Sequence, residues 1–362
     1  MTAKRIAEFQ ARMKAKKIDA AMIKTVSSFT YFSDVFWLRP GLVIPAEGEP
    51  VAFIAASEVE AFRELSCVKN IVPYHGIDEL MPGVTRVIRD GGYRTVGMDM
   101  SVERDAYELF GHMFARVNPK VEVVDVHSLV MESRMIKDSD EIERIRKAAR
   151  VTDNGMEAAA TSIAPGKTEL EVAAEAVYAM MKAGSERPHV YVTAGPVARI
   201  HAEPRAEARI GTDDVVTVTI GGDADNYYAN ETRTFVPPRA SEEKRRTLGA
   251  LRTIYESATS KLRSGTMLEG LEQEIGTAWA TRGHSEHYVK GFAHGVGLLV
   301  EEDPITTILI PERRTVLREN MVIAAMHAPL AVPGAGSFKI EDTFLVTAAS
   351  PERLTNHPLP AS

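Results

Sequence analysis

A single cysteine, Cys67, stands among 362 residues, which rules out an intramolecular disulfide and any cysteine-built metal site. Long apolar runs are missing as well: nothing approaches the ~20 residues that span a bilayer. The N-terminal stretch MTAKRIAEFQARMKAKKIDA has basic residues but no continuous apolar block, so it reads as an amphipathic first helix rather than a secretory signal. Positive charge is in deficit. Lys and Arg number 43 against 50 Asp and Glu, a formal net charge of −7, which argues against the basic face of a nucleic-acid binder. No glycine-rich run is followed by Lys and Ser or Thr, so a phosphate-cradling loop is excluded. Neither a repeat of solenoid length nor a low-complexity linker is present. These absences leave a soluble, cytoplasmic protein with no nucleic-acid or membrane partner as the expectation.

What is present is ordinary core material, 44% hydrophobic and 26% charged, in a chain long enough to split into two domains. Over residues 1 to 135, short apolar runs (AAMI, GLVIP, VAFIA, NIVPY, TVGMDM) alternate with helical patterns such as SEVEAFRELS. That alternation predicts an α/β domain. A second domain, 136 to 362, opens on a long helix with Ser139 as its expected N-cap and Pro165 and Gly166 as its stop. Another helix starts at Thr168 and closes at Gly184. Two further helical stretches, from 242 and from 268, precede the strands NMVIAAM and SFKIEDTFLVT. Between the helix pairs, VVTVTIGGDADNYYANETRTF reads as a β-hairpin. Its DADN lacks the following Gly and distal Glu of a calcium loop and reads as a tight turn.

Five stretches in order, IKDSDEIERIRKAA, GPVARIHAEP, NYYANETRTF, AHGVGLLVEEDP with ENMVIAAM, and FKIEDTFLVT, resemble the pita-bread fold family of creatinase, prolidase, aminopeptidase P and methionine aminopeptidase. The N-terminal part, with SFTYFSDVFWLRPGLVIP, resembles the smaller domain that creatinase and prolidase carry. The resemblance implies an α/β N-terminal domain and an α+β pita-bread C-terminal domain with a curved, mainly antiparallel sheet. Metallopeptidases of this family hold two divalent ions with two Asp, one His and two Glu. Carried over, the Asp positions fall on Thr219 and Asn230, the His on His294, the first Glu on Met326 and the last on Glu341. His327 replaces the missing Glu if that strand shifts by one residue. Glu231, next to Asn230, alternates to the other side of its strand.

Two divalent ions bring a charge of about +4 and need nearby anions, so this set argues against a two-metal centre and leaves room for one weakly held ion. The pattern is similar in logic to creatinase, which implies a metal-independent hydrolase, without cofactor, cleaving a C–N bond in a small amino- or guanidino-carboxylate. On that expectation His201 is the proton carrier, and His294 and Glu341 complete the catalytic group. Glu301 is a second carboxylate for a cationic or amidine group, and Thr219, Tyr228, Asn230, Met326 and His327 line the former metal pocket. Arg39, reaching a neighbouring subunit's site in a homodimer, or Arg199 would grip the substrate carboxylate. Two rivals stay open: an Xaa-Pro dipeptidase with a degraded metal site, and a non-catalytic binding protein. Glu301, Glu302 and Asp303 read equally well as a solvated acidic turn, and His284 and His287 as a polar surface loop.

Overall fold

The computed structural model describes all residues except 1, 39–40, 76, 101–105, 198, 200–201, 308 and 361–362. The chain divides into two compact units, Met1–Arg134 and Met135–Ser362. In the first, strands β1 (Ala20–Ile23), β2 (Leu42–Pro45), β3 (Val51–Ala55), β4 (Asn70–Tyr74), β5 (Thr95–Met98) and β6 (Glu122–Asp125) form one sheet in the order β4-β3-β2-β1-β5-β6. Only β2 runs antiparallel to its neighbours; β1, β5 and β6, like β3 and β4, pair in parallel. Helices α1 (Thr2–Ala15), α2 (Val26–Ser33), α3 (Val59–Leu65), α4 (Ile77–Asp90), α5 (Ala106–Val117) and α6 (His127–Met135) connect and cover it. This is the α/β domain that the alternating pattern predicts.

The second unit begins with α7 (Ser139–Ser162) and α8 (Glu169–Lys182). Asp138, not Ser139, caps α7: its carboxylate accepts from Asp140 N and Glu141 N, and Glu141 returns a bond to the Asp138 N–H. A carboxylate also complements the positive end of the helix, which a serine hydroxyl does not. Thr168 caps α8 in the same reciprocal way. Strands follow: β7 (His189–Ala194), β8 (Val216–Ala224), β9 (Tyr227–Phe235), β10 (Ala293–Gly295), β11 (Glu302–Ile305), β12 (Val322–Ala325), β13 (Leu330–Val332), β14 (Gly336–Phe338), β15 (Glu341–Leu345) and β16 (Glu352–Arg353). The main sheet, β11-β10-β12-β15-β9-β8-β7 with β16 beside β15, is antiparallel throughout and curved. Asp225 and Asn226, both with positive φ, make the tight turn between β8 and β9.

Period-two alternation decides which residues face the site. On β8, Val216, Val218 and Ile220 enter the core formed with α7 and α8, so Thr217, Thr219 and Gly221 face the other way. On β12, Ile323 and Ala325 enter the core shared with Leu248 and Leu251 of α9 (Glu242–Thr259) and with Ile275 and Trp279 of α10 (Leu268–Ala280). Helices thus cover one face of the sheet and leave polar side chains on the other. No described helix is long and apolar enough to cross a membrane.

Candidate metal centre

Strand register assembles the site. Tyr191, Thr219, Thr232 and Glu341 stand directly opposite one another across β7, β8, β9 and β15, forming one row. The Thr232 hydroxyl lies 2.9 Å from Glu341 Oε2 and 3.0 Å from Thr219 Oγ1. Asn230 sits one row along, opposite Gly221. A Cβ at Gly221 would come within 3.2 Å of Asn230 Oδ1 and 3.4 Å of Val300, so a larger residue there would crowd the amide. Asn230 Nδ2 donates to the Val300 carbonyl at 2.9 Å, while its buried Oδ1 has no hydrogen-bond partner. On the next strands, His294 of β10 pairs with Ala324 of β12, whose methyl group leaves the imidazole room.

His294 is fully buried. Its Nδ1 lies 2.8 Å from the Gly295 carbonyl. A carbonyl only accepts, so that nitrogen carries a proton, and in the neutral imidazole Nε2 presents a lone pair. Nothing takes it: Nε2 is buried without a hydrogen-bond partner, 3.7 Å from Glu341 Oε1 and 3.9 Å from Glu301 Oε1. His327 fills the gap between those carboxylates, with Nδ1 at 2.8 Å from Glu341 Oε1 and Nε2 at 2.9 Å from Glu301 Oε1. The two imidazoles meet edge to face, ring centres 4.4 Å apart. Among the described residues, ligand atoms of His294, Glu301 and His327 lie within 4.8 Å of one another.

Charge is handled without waste. Burial alone would raise the Glu341 carboxyl, but the Lys339 ammonium and His327 hold it well below the usual carboxylate range. Lys339 Nζ stands 3.0 Å from Glu341 Oε2, and both side chains are almost wholly buried. That burial lowers the Lys339 pKa from its ordinary value, against the opposing pull of Glu341. Desolvation pushes the Glu301 carboxyl up, for Glu301 is only a third exposed, but chiefly through the hydrogen bond from His327 it is brought down to about 2.

Several expected residues behave differently. Met326 does not enter the site. Its backbone has φ 66°, which breaks the strand alternation at the end of β12, and its side chain joins the core with Ile323 and Ala325. His327 takes the place facing Glu341. Arg199 borders the pocket formed with Tyr191, Thr193, Thr217, Thr219, Pro329, Ser337 and Lys339, but its guanidinium is paired with the fully buried Glu169. The Tyr228 hydroxyl donates to the Arg187 carbonyl at 3.2 Å. The acidic turn is not solvated: Glu302 is buried against Lys137 at 2.8 Å, Asp303 is buried, and Glu301 turns to the histidines. His201 and Arg39 lie outside the described residues. Lys339 and Thr232 are the residues that sequence reasoning missed. Both were available from alternation, since Lys339 lies two positions before Glu341 and Thr232 two after Asn230.

A divalent ion fits one part of this site and not another. An orphaned imidazole nitrogen, a second imidazole and a carboxylate within reach of one another are a donor set for one borderline ion. His327 also shows the outer contact usual for a ligating histidine, its far nitrogen held by a carboxylate, and an ion would displace the hydrogen bond that its Nε2 gives Glu301. Thr219 and Asn230 offer no charge for a second ion, and Lys339 already lies against Glu341 Oε2.

Comparison with known proteins bears directly on the chemistry. Residues 143–348 match the model of metallopeptidase family M24, and residues 5–136 match the creatinase/prolidase N-terminal domain. The chain is 27% identical over 354 residues to the Xaa-Pro dipeptidase of Pyrococcus horikoshii, covering 97% of this chain and 96% of that one. It is 27% identical over 331 residues to the probable dipeptidase PepE of Mycobacterium bovis, covering 90% and 86%. The crystal structure of the prolidase from Pyrococcus horikoshii OT3 superposes with a TM-score of 0.88 at 25% identity, covering 98% and 99%. These whole-length likenesses overturn the expectation of a metal-independent, creatinase-like hydrolase. That expectation discounted His327 because an imidazole adds no charge and gave Glu301 to a substrate cation, whereas the structure brings both beside His294. The chain belongs to metallopeptidase family M24, with the pita-bread fold and its creatinase/prolidase N-terminal domain, and is a hydrolase of C–N bonds.

Proposed function

We propose that the protein is a dipeptidase of the Xaa-Pro type, working with a divalent ion held by His294, Glu301 and His327. Whole-length likeness to proteins named Xaa-Pro dipeptidase supports the substrate class. One observation carries the metal: the buried His294 Nε2, without a hydrogen-bond partner, lies 3.9 and 3.7 Å from the carboxylate oxygens of Glu301 and Glu341. A divalent ion bound there would polarise the scissile carbonyl and supply hydroxide near neutral pH.

The chain's own residues do the rest. Glu341 accepts from His327 Nδ1 and so aims Nε2 into the site. Lys339 balances the Glu341 charge, and Thr219 and Thr232 offer hydroxyls to the peptide beside it. Cleavage adds water across the C–N bond: the carbonyl carbon gains the hydroxyl and the leaving nitrogen gains the proton. His201 is the residue we assign to deliver that proton, on its place in the GPVARIHAEP loop. Arg39 is our choice for the peptide carboxylate, reached across a homodimer, because Arg199 is occupied by Glu169. We take the protein as cytoplasmic, in keeping with its single cysteine.

The test is turnover of Gly-Pro and Ala-Pro by protein purified without added chelator, with its metal content measured in parallel. Release of proline that is lost in His201→Ala supports the reading. Absence of turnover on these and on a panel of other dipeptides overturns it, leaving binding without chemistry.

A further inference from the structure

We infer that the centre is mononuclear by construction, with the Lys339 ammonium in the role a second divalent ion would fill. The inference rests on the metal-dependent reading above and deepens it. Glu341 is placed as a carboxylate shared by two cations. Its Oε1 lies 3.7 Å from His294 Nε2, on the side of the candidate ion site, and also accepts from the outer nitrogen of His327, Nδ1, at 2.8 Å. Its Oε2 meets Lys339 Nζ at 3.0 Å and the Thr232 hydroxyl at 2.9 Å. In a paired centre two ions stand roughly 3.5–4 Å apart and share such a carboxylate. Here one side of the bridge is already an ammonium.

The surroundings match a single charge on that side. Thr219 and Asn230 are neutral, and Thr219 hydrogen-bonds through Thr232 rather than contributing a carboxylate. An ammonium and a dication in the same buried space repel strongly where the dielectric is low, so the Lys339 side accepts no second metal. The same lysine borders the pocket with Tyr191, Thr217, Thr219 and Ser337. A fixed cation among hydroxyls suits the negative charge that a peptide carbonyl oxygen develops during attack. The departure from a carboxylate-rich pair to two imidazoles and one carboxylate also shifts the preferred ion toward those that favour nitrogen, zinc above magnesium or calcium.

Calorimetric titration of the metal-free full-length protein with Zn(II), with bound ions counted by native mass spectrometry, tests this. One ion per chain at saturation is the expected result, and Lys339→Arg should keep it at one. Restoring both carboxylates in T219D/N230D while Lys339 remains should still give one ion, and adding Lys339→Met should give two. Two ions in the wild type or in T219D/N230D would overturn the inference and leave the dipeptidase reading standing. One ion without turnover of any dipeptide would do the reverse. No bound ion at all would overturn both. If the triple variant does not fold, the wild-type and T219D/N230D counts still decide.

Discussion

Strands β9 and β15 carry buried charge on both faces, and the two faces use it in opposite ways. On the helix-covered face, Arg233 is saturated. Its guanidinium meets Glu231 at 2.6 Å, Asp342 at 2.9 Å, and the carbonyls of Thr232, Glu341, His357 and Pro358. Asp342 in turn accepts from Thr355 and Tyr255. That cluster fixes the C-terminal segment 357–358 to the two strands and leaves no donor of Arg233 seeking a ligand. On the open face, one residue away along each strand, Glu341 and its neighbours leave the His294 Nε2 lone pair unanswered. A buried polar group without a partner is costly; the adjacent face keeps one too, Glu231 Oε2, on a carboxyl that burial pushes toward its neutral form, whereas the His294 nitrogen lies between two carboxylates. The contrast separates a structural ion cluster from a binding site.

The largest effect should come from breaking the saturated face. Arg233→Met strands Glu231 and Asp342 in the interior, and we expect a loss of about 3–5 kcal/mol in urea unfolding. A loss below ~1 kcal/mol would erase the contrast. On the open face, His294→Ala should weaken Zn(II) binding by more than ~100-fold, yet lower the stability of the metal-free protein less than Arg233→Met does. Glu341→Gln, which keeps an acceptor for His327 but removes the charge, should weaken Zn(II) binding by about 10–100-fold, read by the same titration.

The smallest effect is a pH slope on the structural face. Burial, despite Arg233, holds the Glu231 carboxyl well above its usual 4.5. The folded chain therefore keeps a proton that the unfolded chain releases near that value. Stability from this group is complete below pH 4.5 and declines as pH rises toward the raised folded value, by up to ~1.4 kcal/mol per pH unit. Glu231→Gln should flatten that decline, so the variant gains on the wild type in melting temperature as pH rises above 4.5. Parallel curves would remove Glu231 from the account.

Much of this contrast is legible in the amino-acid sequence. The Val-Thr-Val-Thr-Ile run of β8 announces its faces, and strand alternation turns Glu231 away from Asn230, as observed. The neutral Thr219 and Asn230 stand out where the family resemblance puts carboxylates, and the sequence singles out Glu341 and His294, which the structure brings within 3.7 Å of each other. Two things are not legible, and a third only in part. A left-handed backbone at Met326 exchanges it for His327, and no pattern of single residues foretells that twist. Glu301 becomes a donor only because the loop before β11 folds back onto two histidines. Lys339 is accessible to alternation, but a basic residue in a strand reads by default as exposed, and its meaning depends on Glu341 lying beside it in the interior.

Exhaustive chelation followed by a Gly-Pro assay tests the central claim most directly. The account predicts that activity disappears on chelation and returns in proportion to Zn(II) or Mn(II) added, reaching its plateau at one equivalent per chain. Undiminished turnover in protein shown by elemental analysis to be free of metal would contradict it.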